Sequence, residues 1–483
     1  SFRKPGRKWF QKRKPVQQPQ AEHKKKINNH RIIVKALPVR AFSLVQVFNL
    51  VYLCSMQLDR LYALYKQYPK VQTDTRALAP NELFFALKGP SFNGNLFAQR
   101  ALEMGAAGVV IDEPIGIEAD NIFLVQDVLE TLQALALHHR RQFKIPFIAI
   151  TGSNGKTTTK ELLHAVLSST YTTYTTKGNL NNHIGVPLTI LSIKDDAAMA
   201  IIEMGANHQK EIESYCKMAL PTHGISTNCG KAHLEGFGGV VGIRKGKGEL
   251  FDFLSLNNGT AFINAGLDYL IDMSSAIKNK IFYGGKGNSF EAAVFQSEPL
   301  LALEIRSEKW GTQKIFTQLV GAYNKPNIEA AISVGDYFGI AFESIKRSIE
   351  AYVPDNARSQ LIQKGNNTII LDAYNANPSS MQAAIENFSH QQSENKYMFL
   401  GGMMELGEES IAEHQSLVNM IKTTGIKHVV LVGGDFAHVD HHCTYFPDAA
   451  QAAAWIKQNP PSNALLLIKG SRGIKMEKLL DSF

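Results

Sequence analysis

The sequence predicts an α/β protein of three domains: a small α/β domain, a central domain whose mixed or parallel sheet carries a phosphate loop (P-loop), and a C-terminal Rossmann-like, doubly wound domain. Three observations carry this prediction. The 483 residues fit about three domains at roughly 150 residues each. Short apolar runs alternate with helix-period segments, as in sheets covered by helices. One of those runs opens into a glycine-rich loop and then a helix.

The elements are read in chain order. Residues 58–68 follow a helical pattern that Pro69 breaks. VQTDTRALAPNELFFALKG reads as strand, turn at Pro80, strand; a helix is expected over 95–104, stopped by Gly105. AAGVVID and IFLVQD read as buried strands, and residues 129–143 as a helix. IPFIAI, AMAIIEMG and THGISTN are continuous apolar runs of the kind that form doubly covered strands. FEAAVF and LALEI, within 281–320, alternate and suggest antiparallel strands. After the turn-rich VPDNARSQ, the runs NTIILDAY, YMFLGGM, HVVLVGG and ALLLIKG alternate with helices at 380–388, 411–423 and 449–457. The expected boundaries are an N-terminal domain over 56–143, a central one over 144–352 and a C-terminal one over 353–483.

Composition narrows the function. Hydrophobic residues make up 44% and charged residues 19%, enough apolar content for packed cores and too much for a disordered chain. The net charge of +8 is concentrated in residues 1–40, which hold 13 Lys or Arg and one acid. The remainder has 38 basic and 42 acidic residues, so a basic, nucleic-acid-binding body is not expected. Cys54, Cys216, Cys229 and Cys443 form no CxxC pair, which argues against a zinc or redox motif and fits a reducing compartment. Residues 41–56 are apolar-rich, but Gln46 and Asn49 interrupt them and they are too short to span a bilayer. No stable membrane insertion is expected. Residues 1–55 are expected to be a start-site artefact or a disordered appendage.

The sharpest local signal is Thr151-Gly152-Ser153-Asn154-Gly155-Lys156-Thr157-Thr158. Glycines let backbone N–H groups turn toward a phosphate, and the helix N-terminus adds partial positive charge. Lys156 can neutralise β/γ-phosphate oxygens, and the Thr157 hydroxyl can ligate magnesium. The loop is two residues shorter than the common P-loop. A plain glycine turn is the competing reading. Glu203 ends the AMAIIEM run, where a carboxylate can hold magnesium or simply terminate a strand. His233 by its chemistry reads as a core or hydrogen-bonding histidine, since magnesium prefers oxygen ligands. Lys247 by its neighbours reads as part of a solvated basic helix face over 244–247. Asn324 and Asn327 share a helix face, suited to adenine or, for Asn324, to N-capping. Arg358 and Asp372 follow the domain boundary and read as ligand contacts or as a boundary salt bridge. Tyr374, Asn375 and Asn377 lie on a loop past a strand end.

The short loop TGSNGKT, with NLNNHIGVPLTIL, EMGANHQKEI, NCGKAHLEGFGG, KGKGELF, GAYNKPNIEAA, DAYNANPSSM, GGMMELGEES and KGSRGIKME in order, resembles the Mur ligase family, which also includes folylpolyglutamate synthases. The resemblance covers 56–483. It implies an ATP-dependent amide ligase that adds D-alanyl-D-alanine to UDP-N-acetylmuramoyl-tripeptide through an acyl phosphate, in the cytoplasm, as a monomer, with ATP and Mg2+. It implies ATP contacts at Gly152, Ser153, Asn154, Gly155, Lys156, Thr157, Thr158, Asn324, Asn327, Arg358 and Asp372. It implies catalytic roles for Lys156, Lys247, His233 and Arg358, with magnesium near Thr157, Glu203, His233 and Lys247, the last as a carbamate. Substrate contacts are implied at Thr73, Asp74, Thr75, Arg76, Asn181, Asn182, His208, Tyr374, Asn375 and Asn377. Where many relatives have His, this chain has Tyr323. Asn93 and Asn95 replace an acid and a histidine of the family pattern. A folylpolyglutamate synthase is the second enzymatic reading, against which the TDTR–FFALKG segment and DAYNANP stand. A nucleic-acid-binding P-loop protein is the third.

Overall fold

The apolar run at 145–150 becomes the strand Phe147–Thr151, whose residues are all buried. Its side chains alternate between two cores: Phe147 and Ala149 face one, Ile148 and Ile150 the other. That is why the run shows no polar alternation. In this computed structural model the described residues are 44–117, 119–355 and 357–483, with backbone alone for 44–55. Contacts divide the chain at Leu53/Cys54, and the unit over 54–483 carries every sheet among the described residues.

Three α/β layers follow one another. The first is a four-stranded parallel sheet in the order Val71–Gln72, Leu83–Phe85, Gly108–Ile111, Ile122–Leu124. The second is a six-stranded parallel sheet in the order Asn279–Tyr283, Thr260–Asn264, His223–Ser226, Phe147–Thr151, Met199–Glu203, Thr173–Thr175. A separate antiparallel sheet of Glu291–Gln296, Ala302–Ser307 and Gly311–Phe316 packs beside it. The antiparallel reading of FEAAVF and LALEI is therefore correct.

The third layer is a six-stranded sheet in the order Gln360–Lys364, Asn367–Asp372, Leu465–Lys469, Lys396–Gly401, His428–Val432, Thr444–Phe446. All but the first strand run parallel. Helices Pro378–His390 and Ser410–Thr423 bury Met381, Ile385, Leu417 and Val418 on one face; Ala449–Gln458 buries Ala452 and Ile456 on the other. This is the doubly wound arrangement expected. The last strand in sequence inserts between the first two parallel ones, so its carboxyl end meets that of Asn367–Asp372.

Two segments differ from expectation. The first helix runs Leu44–Gln67, beginning before the residue 58 that periodicity marked; residues 1–43 of the expected appendage lie outside the described residues. The expected helix over 95–104 is split into a 3-10 turn, Gly94–Phe97, and a short helix, Ala98–Glu103. Asn93 caps the turn through a bond from the Asn95 N–H.

His223, in the second sheet, gives a pH prediction. Its ring is buried among Phe262, Tyr337 and Phe338, and burial pushes its pKa down to about 4. The unfolded chain binds this proton more readily, with a pKa near 6.5. The stabilisation from the neutral ring is full above about 6.5 and is lost as pH falls through about 4, by about 3 kcal/mol in all. Urea midpoints at pH 7.5 and 4.5 are expected to differ less in His223→Gln than in wild type. An unchanged difference would contradict the assignment.

Candidate active site

The phosphate loop joins Phe147–Thr151 to the helix Lys156–Ser168. Gly152 has φ +138°, and a Cβ there would lie 2.0 Å from Thr227 Oγ1. Gly155 has φ +80°, and its Cβ would meet Asn327 Oδ1 at 2.5 Å. Both positions require glycine. The neighbouring strand end holds the loop: the Ser153 N–H donates to Asn228 O at 2.9 Å, and the Asn154 N–H to Asn228 Oδ1 at 3.0 Å. The Lys156 ammonium donates to Gly152 O at 2.6 Å and Ser153 O at 3.2 Å. Burial, opposed by the Glu203 charge, lowers its pKa to about 8.

Glu203 ends the strand beside the loop strand and is 1% exposed. The Thr157 hydroxyl donates to its carboxylate at 3.0–3.1 Å, and the Asn181 amide at 2.7 Å. Lys160, fully buried, pairs with Glu161 at 2.8 Å and lies 3.9 Å from Glu203. A hydroxyl beside a buried carboxylate is a hard-oxygen pair that fits magnesium. The other two expected ligands have different partners. His233, at φ +54°, contacts the Glu405 carboxylate, whose pKa that contact lowers. Lys247 donates to Ala206 O at 3.2 Å and sits 4.9 Å over the Phe237 ring. Among the described residues no three His, Cys, Asp or Glu side chains converge on a metal position. Of the four expected ligands, Thr157 and Glu203 are in direct contact, while His233 and Lys247 are engaged with Glu405 and Ala206.

Lys247 is 1% exposed, whereas Lys245 and Arg244 on the same helix, Val240–Leu256, face solvent. The reading of 244–247 as one solvated face therefore fails at Lys247. Burial first, then the Lys156 charge, lowers the Lys247 pKa to about 7.

A cavity of 920 Å³ joins these parts to the C-terminal sheet. The loop residues 153–158 line it, with Asn181, Asn182, Glu203, His233, Tyr323, Asn324, Asn327, Arg358, Asp372, Tyr374, Asn375 and Asn377. Asn327 Nδ2 donates to Asn324 Oδ1 at 2.9 Å, and Asn324 Nδ2 to Val320 O at 2.9 Å. Asn324 makes no side-chain cap, so the capping alternative is set aside. Asp372 accepts from Lys469 at 2.5 Å and from the Ser359 N–H at 3.2 Å. It makes the salt bridge that was its alternative reading and still lines the cavity. Arg358 stacks 3.5 Å from the Tyr374 ring centroid. Asn377 Nδ2 donates to Asn154 Oδ1 at 2.8 Å, tying the C-terminal sheet to the phosphate loop.

Five expected substrate contacts lie outside the cavity lining. Thr73, Asp74, Thr75 and Arg76 sit in the first layer, where Arg76 pairs with Asp74 at 2.6 Å. His208 is exposed and lies 3.6 Å from Glu211, which accepts its N–H at 3.0 Å. Sequence reasoning assigned no role to Glu405, Lys469, Ser471 or Arg472, which line the cavity. The runs GGMMELGEES and KGSRGIKME, which contain these residues, are the signal in the sequence.

Residues 150–335 match the Mur ligase middle domain and residues 357–472 the Mur ligase, glutamate ligase domain. The UDP-N-acetylmuramoyl-tripeptide--D-alanyl-D-alanine ligase of Bacillus subtilis is 34% identical over 427 residues, 85% of this chain and 92% of the relative. The chain belongs to the Mur ligase family. Among solved structures, MurF from Acinetobacter baumannii matches this Mur ligase with a TM-score of 0.77 and 30% identity, over 85% of this chain and 92% of that chain. MurF ligase from Thermotoga maritima in complex with ADP matches with a TM-score of 0.77 and 25% identity, over 86% and 96%. A folylpolyglutamate-synthase-type complex, FPGS–AMPPCP–folate, is 14% identical with a TM-score of 0.55 and covers 73% of this chain; that likeness is one of fold alone. No helix among the described residues of this Mur ligase is long and apolar enough to cross a membrane.

Proposed function

We propose that this Mur ligase is an ATP-dependent amide ligase that joins D-alanyl-D-alanine to UDP-N-acetylmuramoyl-tripeptide, giving the pentapeptide, ADP and phosphate. The observation that carries this reading is the one cavity lined by Lys156, Glu203 and Asn377 together, with Asn377 bonded to the phosphate loop. In the reaction, an oxygen of the tripeptide carboxylate attacks the ATP γ-phosphorus and the bond to ADP breaks. The dipeptide amine then attacks the acyl carbon, loses a proton and expels phosphate.

The residues divide this work by chemistry. Lys156 and the loop N–H groups neutralise the triphosphate. Arg358 reaches the same charge from the C-terminal sheet. Asn324 and Asn327 take adenine, and Asn181 and Asn182 the muramoyl part. Thr157 and Glu203 hold Mg2+, which when bound supplies positive charge at the phosphate oxygens. Lys247 serves as a carbamate: its amine nitrogen adds to CO2 and releases a proton, turning a buried cation into an anion. Residues 56–143 serve as the UDP-substrate domain, 144–352 as the ATP domain and 353–483 as the ligase domain, in a cytoplasmic monomer.

The test is product formation. Purified protein with ATP and Mg2+ is given UDP-N-acetylmuramoyl-tripeptide and D-alanyl-D-alanine, or a folate and glutamate. Pentapeptide by mass spectrometry in the first mixture alone is the expected result. Product in the folate mixture alone would overturn it.

A further inference from the structure

Four cationic side chains line the cavity: Lys156, Arg358, Lys469 and Arg472. Of its lysines and arginines, Lys156 is held by two loop carbonyls and Lys469 by Asp372. Arg358 and Arg472 have no carboxylate within salt-bridge distance among the described residues. Both instead share one ring: their guanidinium carbons lie 3.5 and 5.4 Å from the Tyr374 centroid. An aromatic face steadies a cation, but two like charges on one ring favour an anion between or beside them.

The position of Arg472 says which anion. It follows the strand Leu465–Lys469, whose last residue is in register with Asp372, two residues before Tyr374. Ligands of doubly wound sheets bind at such carboxyl ends. The segment is anchored just before the arginine: Ser471 Oγ donates to Ala376 O at 3.1 Å and accepts from the Met404 N–H at 3.1 Å. Beyond it, nothing lies within 4 Å of a Cβ built on Gly473. Arg472 thus follows an anchored residue, is itself exposed, and lines the cavity with its guanidinium near the Tyr374 ring. It belongs to a different sheet from the phosphate loop, whose own cation is Lys156. Yet Asn377, three residues beyond Tyr374, bonds to that loop, and three residues span at most about 11 Å. An extended dipeptide spans up to about 7 Å, and both the loop residues and Arg472 line the one cavity in which it would lie.

We infer that Arg472, carried beside Arg358 on Tyr374, binds the free C-terminal carboxylate of the incoming dipeptide and so selects substrates with an unblocked carboxyl end. The inference rests on the reading of this protein as a ligase for D-alanyl-D-alanine. The triphosphate and the reacting carboxylate are served at the loop; the dipeptide's own carboxylate does not react and still needs a counter-charge. A guanidinium can pair with it through two parallel hydrogen bonds.

The test compares D-alanyl-D-alanine with D-alanyl-D-alaninamide on wild type, Arg472→Gln and Arg472→Lys, with each protein's melting temperature recorded. Wild type is expected to favour the carboxylate over the amide at least 30-fold in kcat/KM. Arg472→Gln is expected to lose most of that preference, with KM for ATP and for the tripeptide within threefold of wild type. Arg472→Lys is expected to keep an intermediate preference. An equal preference in wild type and Arg472→Gln would overturn the inference. So would a rise confined to KM for ATP or for the tripeptide, since the guanidinium would then serve another anion. A wild type without carboxylate preference overturns it whatever the variants do. A wild type that uses neither dipeptide fails at the ligase reading itself and takes this inference with it.

Discussion

Lys156→Ala is expected to lower kcat at least 100-fold while the melting temperature stays within a few degrees of wild type. The ammonium is aimed at the loop carbonyls of Gly152 and Ser153, at the point where a triphosphate would meet the helix N-terminus. Charge developing on the transferred phosphoryl group is stabilised there by a preorganised cation in a water-poor site. A factor of 100 corresponds to about 2.7 kcal/mol. The fold should tolerate the change because burial already disfavours the charged amine, holding its pKa near 8. The truncation also leaves the loop's bonds to Asn228 intact. Steady-state phosphate release, with thermal melts as control, checks this. Retention of more than about a tenth of the wild-type rate, a loss under about 1.4 kcal/mol, would contradict the assigned role.

Lys247→Ala is expected to be inactive and partly restored by added formate or acetate, whereas Lys245→Ala stays close to wild type. The two lysines lie on one helix, but only Lys247 is buried. Its pKa near 7 leaves a large fraction as neutral amine at assay pH, the form that can add CO2. A small acid entering the space left by alanine would supply two oxygens, imperfectly, because it is not tethered. The measurement is phosphate release by both variants with and without the acid. A dead Lys245→Ala beside an active Lys247→Ala would reverse the assignment. Two active variants would remove the carbamate from the account.

Much of this arrangement is written in local patterns. The central strands stand out because both faces are covered, so IPFIAI and AMAIIEM show no polar interruption. The burial of Lys247 was also legible: Ile243, Leu250, Phe251 and Leu254 are buried on the same helix, and 247 falls on their stripe at helical spacing. What one sequence could not show is pairing across distance. Asp372 and Lys469 meet because the last strand inserts beside Asn367–Asp372, and no local signal marks that insertion. The same insertion brings Arg472 to Tyr374. The edge strands Gln360–Lys364 and Thr444–Phe446 were missed because they carry polar residues and have few exclusively apolar positions. His208 could be read equally as a helix cap or a dipeptide contact; the backbone N–H groups of Asn207 and His208 donate to Glu211, a pairing across four residues that the sequence did not single out.

The central claim is that chemistry at this cavity passes through phosphoryl transfer to the tripeptide carboxylate. The most direct measurement uses tripeptide whose reacting carboxylate carries 18O, with ATP and D-alanyl-D-alanine. The account predicts that released inorganic phosphate carries one 18O atom, delivered when the amine expels it from the acyl carbon. Unlabelled phosphate, or label appearing in AMP, would contradict it.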